Sequence, residues 1–306
     1  MGGSYQSGLR QLEALIGLAS AKESITQIIE RLTKEQRYRA QGIGVLTARR
    51  HLVFRGPAGV GKTRVARYFG QICAHLGALT NGHVVIVDQS DLTAGTGNKV
   101  GLMRDKCDAA LDGILYIKND AFLTAGILRS TGDLKRDAVD VLVDYMQTHR
   151  ERLIVILDVR PHQFDCISFH SGLARHFNET IEFEPYSAVD LLQILASMAK
   201  RLGLALPDGL ECDLFPWIVA HSQRSDWRNA REISDVFSKA IGARALRNAR
   251  LRCSVFDGLD RNDFRQALAT MRPDVSVDLV QWPDLYVGAQ PPLVRSHDAS
   301  VRDGEA

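Results

Sequence analysis

The sequence predicts an α/β protein: a parallel sheet covered by helices on both faces, followed by a smaller all-helical part. Three observations carry this. Short apolar runs alternate with helix-period segments up to Pro185, and only helix-period segments follow. One strand-to-helix junction is a glycine-rich octapeptide, Gly56 to Thr63. Strands that alternate with helices pair in parallel through helical crossovers.

The elements follow in order. Leu12, Leu15 and Ile16, then Ile25, Ile28, Ile29 and Leu32, recur at three- and four-residue spacing and predict helix over 9–40. A Gly-containing break at 41–49 precedes a short strand at 51–54. The next helix, 64–79, carries Val65, Phe69, Ile72 and Leu76 on one face. A strand at 84–87 ends at Asp88, and the Gly- and Thr-rich stretch 89–103 reads as loop. Further strands are predicted at 113–117, 153–157 and, more weakly, 180–183, with a helix at 137–149. Beyond Pro185 come helices at 188–202, 212–222, 227–248 and 261–271. The division is an α/β core at 1–185, a helical lid at 186–272 and a polar tail at 273–306, read as a peripheral strap or disordered.

Composition excludes several classes. With 45% hydrophobic residues, the 306-residue chain is not a disordered one, and 25 Gly with 9 Pro is too few for collagen or low complexity. Lys and Arg number 38 against 36 Asp and Glu, a formal charge of +2, which argues against holding nucleic acid by bulk charge. The longest purely apolar run, Leu153 to Leu157, is too short to span a bilayer, and the N-terminus lacks a signal-peptide profile. Cys73, Cys107, Cys166, Cys212 and Cys253 are scattered without a C-x-x-C pair, as expected of a reducing, cytoplasmic setting.

The octapeptide carries chemistry. Gly56, Pro57, Ala58, Gly59, Val60, Gly61, Lys62 and Thr63 fit G-x-x-x-x-G-K-[ST], with a strand before and a helix after. The glycines let backbone N–H groups converge on phosphate oxygens, and the helix adds its positive N-terminus. Lys62 supplies charge to the β/γ-phosphates and the Thr63 hydroxyl a ligand for Mg²⁺. ATP and Mg²⁺ are the expected cofactors, on a P-loop NTPase three-layer sandwich. Hydrolysis further asks for acids at neighbouring strand ends. Asp88, Asp120 and Asp158 all qualify by position, and spacing does not choose among them.

Residues 12–22, the strand and loop 50–63, and the block 138–157 together resemble an AAA+ ATPase. The group is that of red-type Rubisco activases, sporulation stage V protein K and type VII secretion ATPases. The similarity runs from about residue 10 to 272. It implies that Ile16, Gly17 and Leu18 wall the adenine side, and that Arg231 of Asn229-Ala230-Arg231 is the sensor-2 arginine. It implies that Arg175 is an arginine finger entering a neighbouring subunit's site, with His176 where a second arginine is common. A surface ion pair is the alternative for Arg175. A ring assembly, hexameric by resemblance, homo- or hetero-oligomeric and acting on protein clients, is implied as well.

The sequence departs from that pattern on the third strand. The resemblance predicts Asp-Glu after Ile117, and the chain has Lys118 and Asn119. Asp120 is one residue away, and a one-residue slip at a strand end changes faces. Asp158 ends the strand beside the P-loop strand, where solvation or pairing with Arg160 is the plainer expectation. No aromatic lies between Asp91 and Tyr116, where the group carries a substrate-gripping residue. Arg244, Arg247, Arg250 and Arg252 line one helix and read as a solvated face or subunit contact rather than a phosphate-binding one. The leading expectation is an ATP-binding ring subunit, weakly hydrolytic or inactive, regulatory or structural beside an active paralogue. The alternative is an active protein-remodelling ATPase using Asp120 or Asp158. A DNA-binding loader is third.

Overall fold

The structure is a computed structural model and describes residues 2–44, 50–88, 91, 99–118, 138–161, 173, 175–251 and 258–271. The described part of the chain up to Met271 forms one compact unit. Five strands make its sheet: β1 (His51–Arg55), β2 (Val84–Val87), β3 (Gly113–Lys118), β4 (Leu153–Val159) and β5 (Phe177–Glu182). They lie in the order β2-β3-β4-β1-β5, and every adjacent pair is parallel. β3 and β4 are buried along nearly their whole length, which explains why they read as unbroken apolar runs.

Alternation of side chains sorts the sheet into two faces. Leu52, Phe54, Ile114, Tyr116, Ile154 and Ile156 pack with α1 (Gly2–Glu13), α2 (Ala19–Ala40) and α3 (Lys62–His75). Val53, Leu115, Ile117, Val155 and Leu157 face α4 (Lys99–Ala109) and α5 (Ala138–Thr148). The result is the three-layer α/β sandwich expected from the sequence. The remaining helices, α6 (Ala188–Arg201), α7 (Leu210–Ser222), α8 (Ala230–Leu251) and α9 (Arg261–Met271), close around their own core. Leu195, Trp217, Val236 and Phe264 fill its centre.

Several boundaries differ from the sequence reading, β5 for example starting at Phe177 and α3 ending at His75. The single helix expected over 9–40 is two helices, because Gly17 and Leu18 take left-handed backbone angles that end one and start the next. The Lys22 ammonium donates to the carbonyls of Glu13 and Leu15 and ties that corner. The helix expected from Arg64 begins at Lys62, inside the glycine loop. The loop expected over 89–103 gives way to α4 from Lys99, while 92–98 lie outside the described residues.

Of the arginines on α8, Arg247 serves the fold. Its guanidinium donates to both carboxylate oxygens of the buried Asp263 at 3.1 and 3.0 Å and to the Gly258 carbonyl. Arg252 is outside the described residues. No helix among the described residues is long and apolar enough to cross a membrane.

Candidate functional site

The site begins where β1 runs out. Gly59 and Gly61 hold φ of 78° and 94°, and Gly61 is the N-cap of α3 without any side-chain cap. The first N–H groups of α3 are therefore left for an anion, as the turn into a P-loop helix requires. The glycines are needed for space as well. A Cβ on Gly56 would lie 2.3 Å from the Phe183 carbonyl, and one on Gly59 would lie 1.8 Å from the Arg228 carbonyl. That second contact comes from the helical part, which sits on the tip of the loop.

Two residues fasten this contact. The Asn229 amide donates to the Ala58 carbonyl at 3.0 Å and accepts from the Tyr186 N–H at 3.2 Å. Asn229 is buried and holds a φ of 48°, a conformation that asparagine tolerates better than most residues. The Tyr186 hydroxyl donates to the Val60 carbonyl at 3.1 Å. A Cβ on Gly17 would touch the Tyr186 ring at 3.1 Å, and Leu18 approaches Gly61. Gly17 and Leu18 thus lie beside the loop, and Ile16 is half-buried next to them. Tyr186, not anticipated from the sequence, joins them to the helical part.

The polar centre lies between β1, β3 and β4. The Lys62 ammonium is nearly buried and donates to the carbonyls of Gly56 and Pro57, the latter at 2.8 Å. It also pairs with Asp158 at 3.0 Å. Asp158 is 20% exposed and accepts a 2.6 Å hydrogen bond from the Tyr116 hydroxyl. It therefore faces the loop, against the plainer expectation of solvation, because strand register places it on the face of Phe54 and Tyr116. Burial raises the Tyr116 phenol well above its usual pKa, and the Asp158 charge and hydrogen bond push it further. A hydrogen bond with the Thr63 side chain and the Arg231 charge act the other way. Thr63, Tyr116, Asp158 and Lys62 thus form one chain of contacts with Arg231 within electrostatic reach.

Lys118 stands in the same row. It is the register partner of Asp158, but its ammonium is engaged by Asp88 at 3.6 Å, at the end of β2. Four charges therefore alternate across the strand ends: Asp88, Lys118, Asp158 and Lys62. Asp120 and Asn119 are outside the described residues. Arg175 and His176 lie at the other end of the sheet, before β5, whose first residue pairs with His51 at the start of β1. Arg175 is exposed and its Nε–H points to His176 at 3.4 Å, while His176 is buried edge-on to His51. Arg175 thus stands at the opposite end of the sheet from the glycine loop of its own chain.

A divalent cation fits this donor set. No group of three or more metal-ligating side chains occurs among the described residues. A P-loop metal needs only one hydroxyl, with phosphates and waters completing its shell. Thr63 would supply that hydroxyl, and Asp158 joins it in the contact chain through Tyr116.

No family model matches the chain. Among curated proteins, it is 28% identical over 243 residues to stage V sporulation protein K of Bacillus subtilis, covering 78% of this chain and 74% of that protein. It is 26% identical to the chloroplastic cbbX homolog of Guillardia theta, covering 79% and 67%. It is 32% identical over 199 residues to the ESX-3 secretion system protein EccA3 of Mycolicibacterium smegmatis, but spans 31% of that protein. Among solved structures, the FIGL-1 AAA domain in complex with ADP aligns with a TM-score of 0.57 at 15% identity, over 87% of this chain and 85% of that one. In sequence the chain is similar to stage V sporulation protein K and the cbbX homolog, and in fold it is similar to the FIGL-1 AAA domain.

Proposed function

We propose that the chain is an ATP-binding subunit of an AAA+ ring acting on protein clients, with weak or no hydrolysis at its own site. The observation that carries this reading is the pairing of a complete phosphate loop with Lys118 at the strand end where the acid is expected. ATP binds between the loop and the helical part, with Gly17, Leu18 and Tyr186 beside the loop. Lys62 meets the phosphates and Thr63 holds Mg²⁺, which supplies positive charge to the phosphate oxygens when bound. Arg231 senses the γ-phosphate from the helical part, and Arg175 does so from the neighbouring subunit. Contacts that differ between nucleotide states then shift the orientation of the helical part and of the ring. The related proteins are named for sporulation, a chloroplast protein and secretion, so no client is carried over from them.

One observation favours a second reading, an active ATPase with Asp158 as the acid on the metal side. Its carboxylate already touches Lys62 and reaches Thr63 through Tyr116. Phosphate release from Mg-ATP separates the two. The first reading expects nucleotide binding that is lost in Lys62→Ala, with turnover at background. Turnover that depends on Lys62 and falls by about 100-fold or more in Asp158→Asn would replace it with the second.

A further inference from the structure

The Lys62 ammonium pairs with Asp158, and a bound triphosphate would claim the same ammonium. When it does, Asp158 keeps the Tyr116 hydrogen bond, whose donor is a neutral phenol and brings no charge. Its register neighbour Lys118 is engaged by Asp88, and Arg231, whose charge reaches Tyr116, is assigned to the γ-phosphate in the reading above. A carboxylate left beside phosphates in a partly desolvated site is repelled by them unless a cation intervenes. Tyr116 prevents the simplest escape, rotation of Asp158 into solvent, by holding one carboxylate oxygen from below.

We propose that Asp158, held by Tyr116, makes nucleotide binding conditional on a divalent cation, so that the site takes the metal-loaded triphosphate and rejects the free one. The inference rests on the nucleotide-binding reading above. In it, Asp158 discriminates between ligand states whether or not the bound ATP is ever cleaved. Tyr116 is a positioning residue, acting on the ligand only through Asp158 and Thr63.

The test is a fluorescence titration of the full chain with a labelled ATP analogue, in Mg²⁺ and in EDTA. Wild type is expected to bind at least about tenfold more tightly with Mg²⁺. In Asp158→Asn, which keeps an oxygen for Tyr116, the ratio falls to roughly two- or threefold because affinity in EDTA rises. Tyr116→Phe keeps the ring packed and is expected to fall between the two. A merely structural Asp158 would weaken binding equally in both buffers, and that result overturns the proposal. So does a wild-type ratio near one that opens only in Lys118→Ala, since Lys118 would then be supplying the cation. Wild type that binds in neither buffer overturns the nucleotide-binding reading and this inference together. An unchanged ratio in Asp158→Asn, with tight binding, overturns the inference alone.

Discussion

The phosphate side and the metal side of the site are built differently. Eight consecutive residues, Gly56 to Thr63, make the phosphate side, and the chain's own geometry between β1 and α3 orients them. The metal side is assembled from the ends of three strands, where Asp88, Lys118 and Asp158 meet Lys62. The contiguous half fits the phosphate-loop pattern in full, while the assembled half has Lys118 at the strand end where an acid was expected and Asp158 one strand away. A local motif tolerates little because its backbone is doing the binding. A cross-strand cluster needs only a balance of charge, and residues can trade places along the row.

That contrast can be broken at several points. The largest effect is expected on the contiguous side. Gly59→Ala puts a Cβ within 1.8 Å of the Arg228 carbonyl at a residue with φ of 78°. Left-handed strain and overpacking together should cost roughly 2–4 kcal/mol. Thermal denaturation is the check, with a fall in Tm of about 5 °C or more expected. An unchanged Tm would mean that the helical part does not rest on the loop.

Asn229→Ala tests the link between loop and lid with a smaller change. It removes the donor to the Ala58 carbonyl and the acceptor for the Tyr186 N–H, leaving two part-buried backbone groups unmet, at a cost of about 1–3 kcal/mol. The expected signature is faster hydrogen exchange in Ala58–Gly61 and at Tyr186, with the sheet core unaffected. Uniform acceleration through β3 and β4 would instead mean global destabilisation.

The smallest effect lies far from both halves. Asp213 on α7 is held below the usual carboxylate range, chiefly by its hydrogen bond from Arg261, with Arg265 adding to it. A depressed folded-state pKa adds stability above the unfolded value of about 4, and that stability is lost as pH falls through the folded value. Both arginines are partly exposed, so Asp213→Asn should cost about 0.5–1 kcal/mol at pH 7. Denaturant melts at pH 7, 5 and 3 check the sign. The gap between wild type and variant should hold from pH 7 to 5 and narrow toward pH 3. A gap that widens in acid would contradict the assignment.

Much of the fold was legible because buried parallel strands and amphipathic helices leave strong periodic marks. All five strands were placed, and β2 matched at both ends, since Val84 to Val87 is bounded by polar residues. The α1–α2 corner was missed because Leu18 is an apolar residue in the right phase for a continuous helix. The left-handed angles at Gly17 and Leu18 mark the corner between the two helices. Tyr116 and Tyr186 were missed for a related reason. Each occupies a position where an aromatic serves the core, and a lone hydroxyl carries no spacing signal. The charge row could have been suspected from polar residues ending three neighbouring strands, but its pairings could not.

The sequence by itself determined the class of fold and the glycine loop between β1 and α3, because both are written in short-range patterns that backbone geometry reads directly. The tertiary structure decided which acid faces the loop and what partners Lys118. It also decided that Arg175 stands at the opposite end of the sheet from the glycine loop and how the helical part meets Gly59. Those depend on sheet order and register, which bring residues a hundred positions apart to within 3 Å, as β4 does for Asp158 beside Lys62.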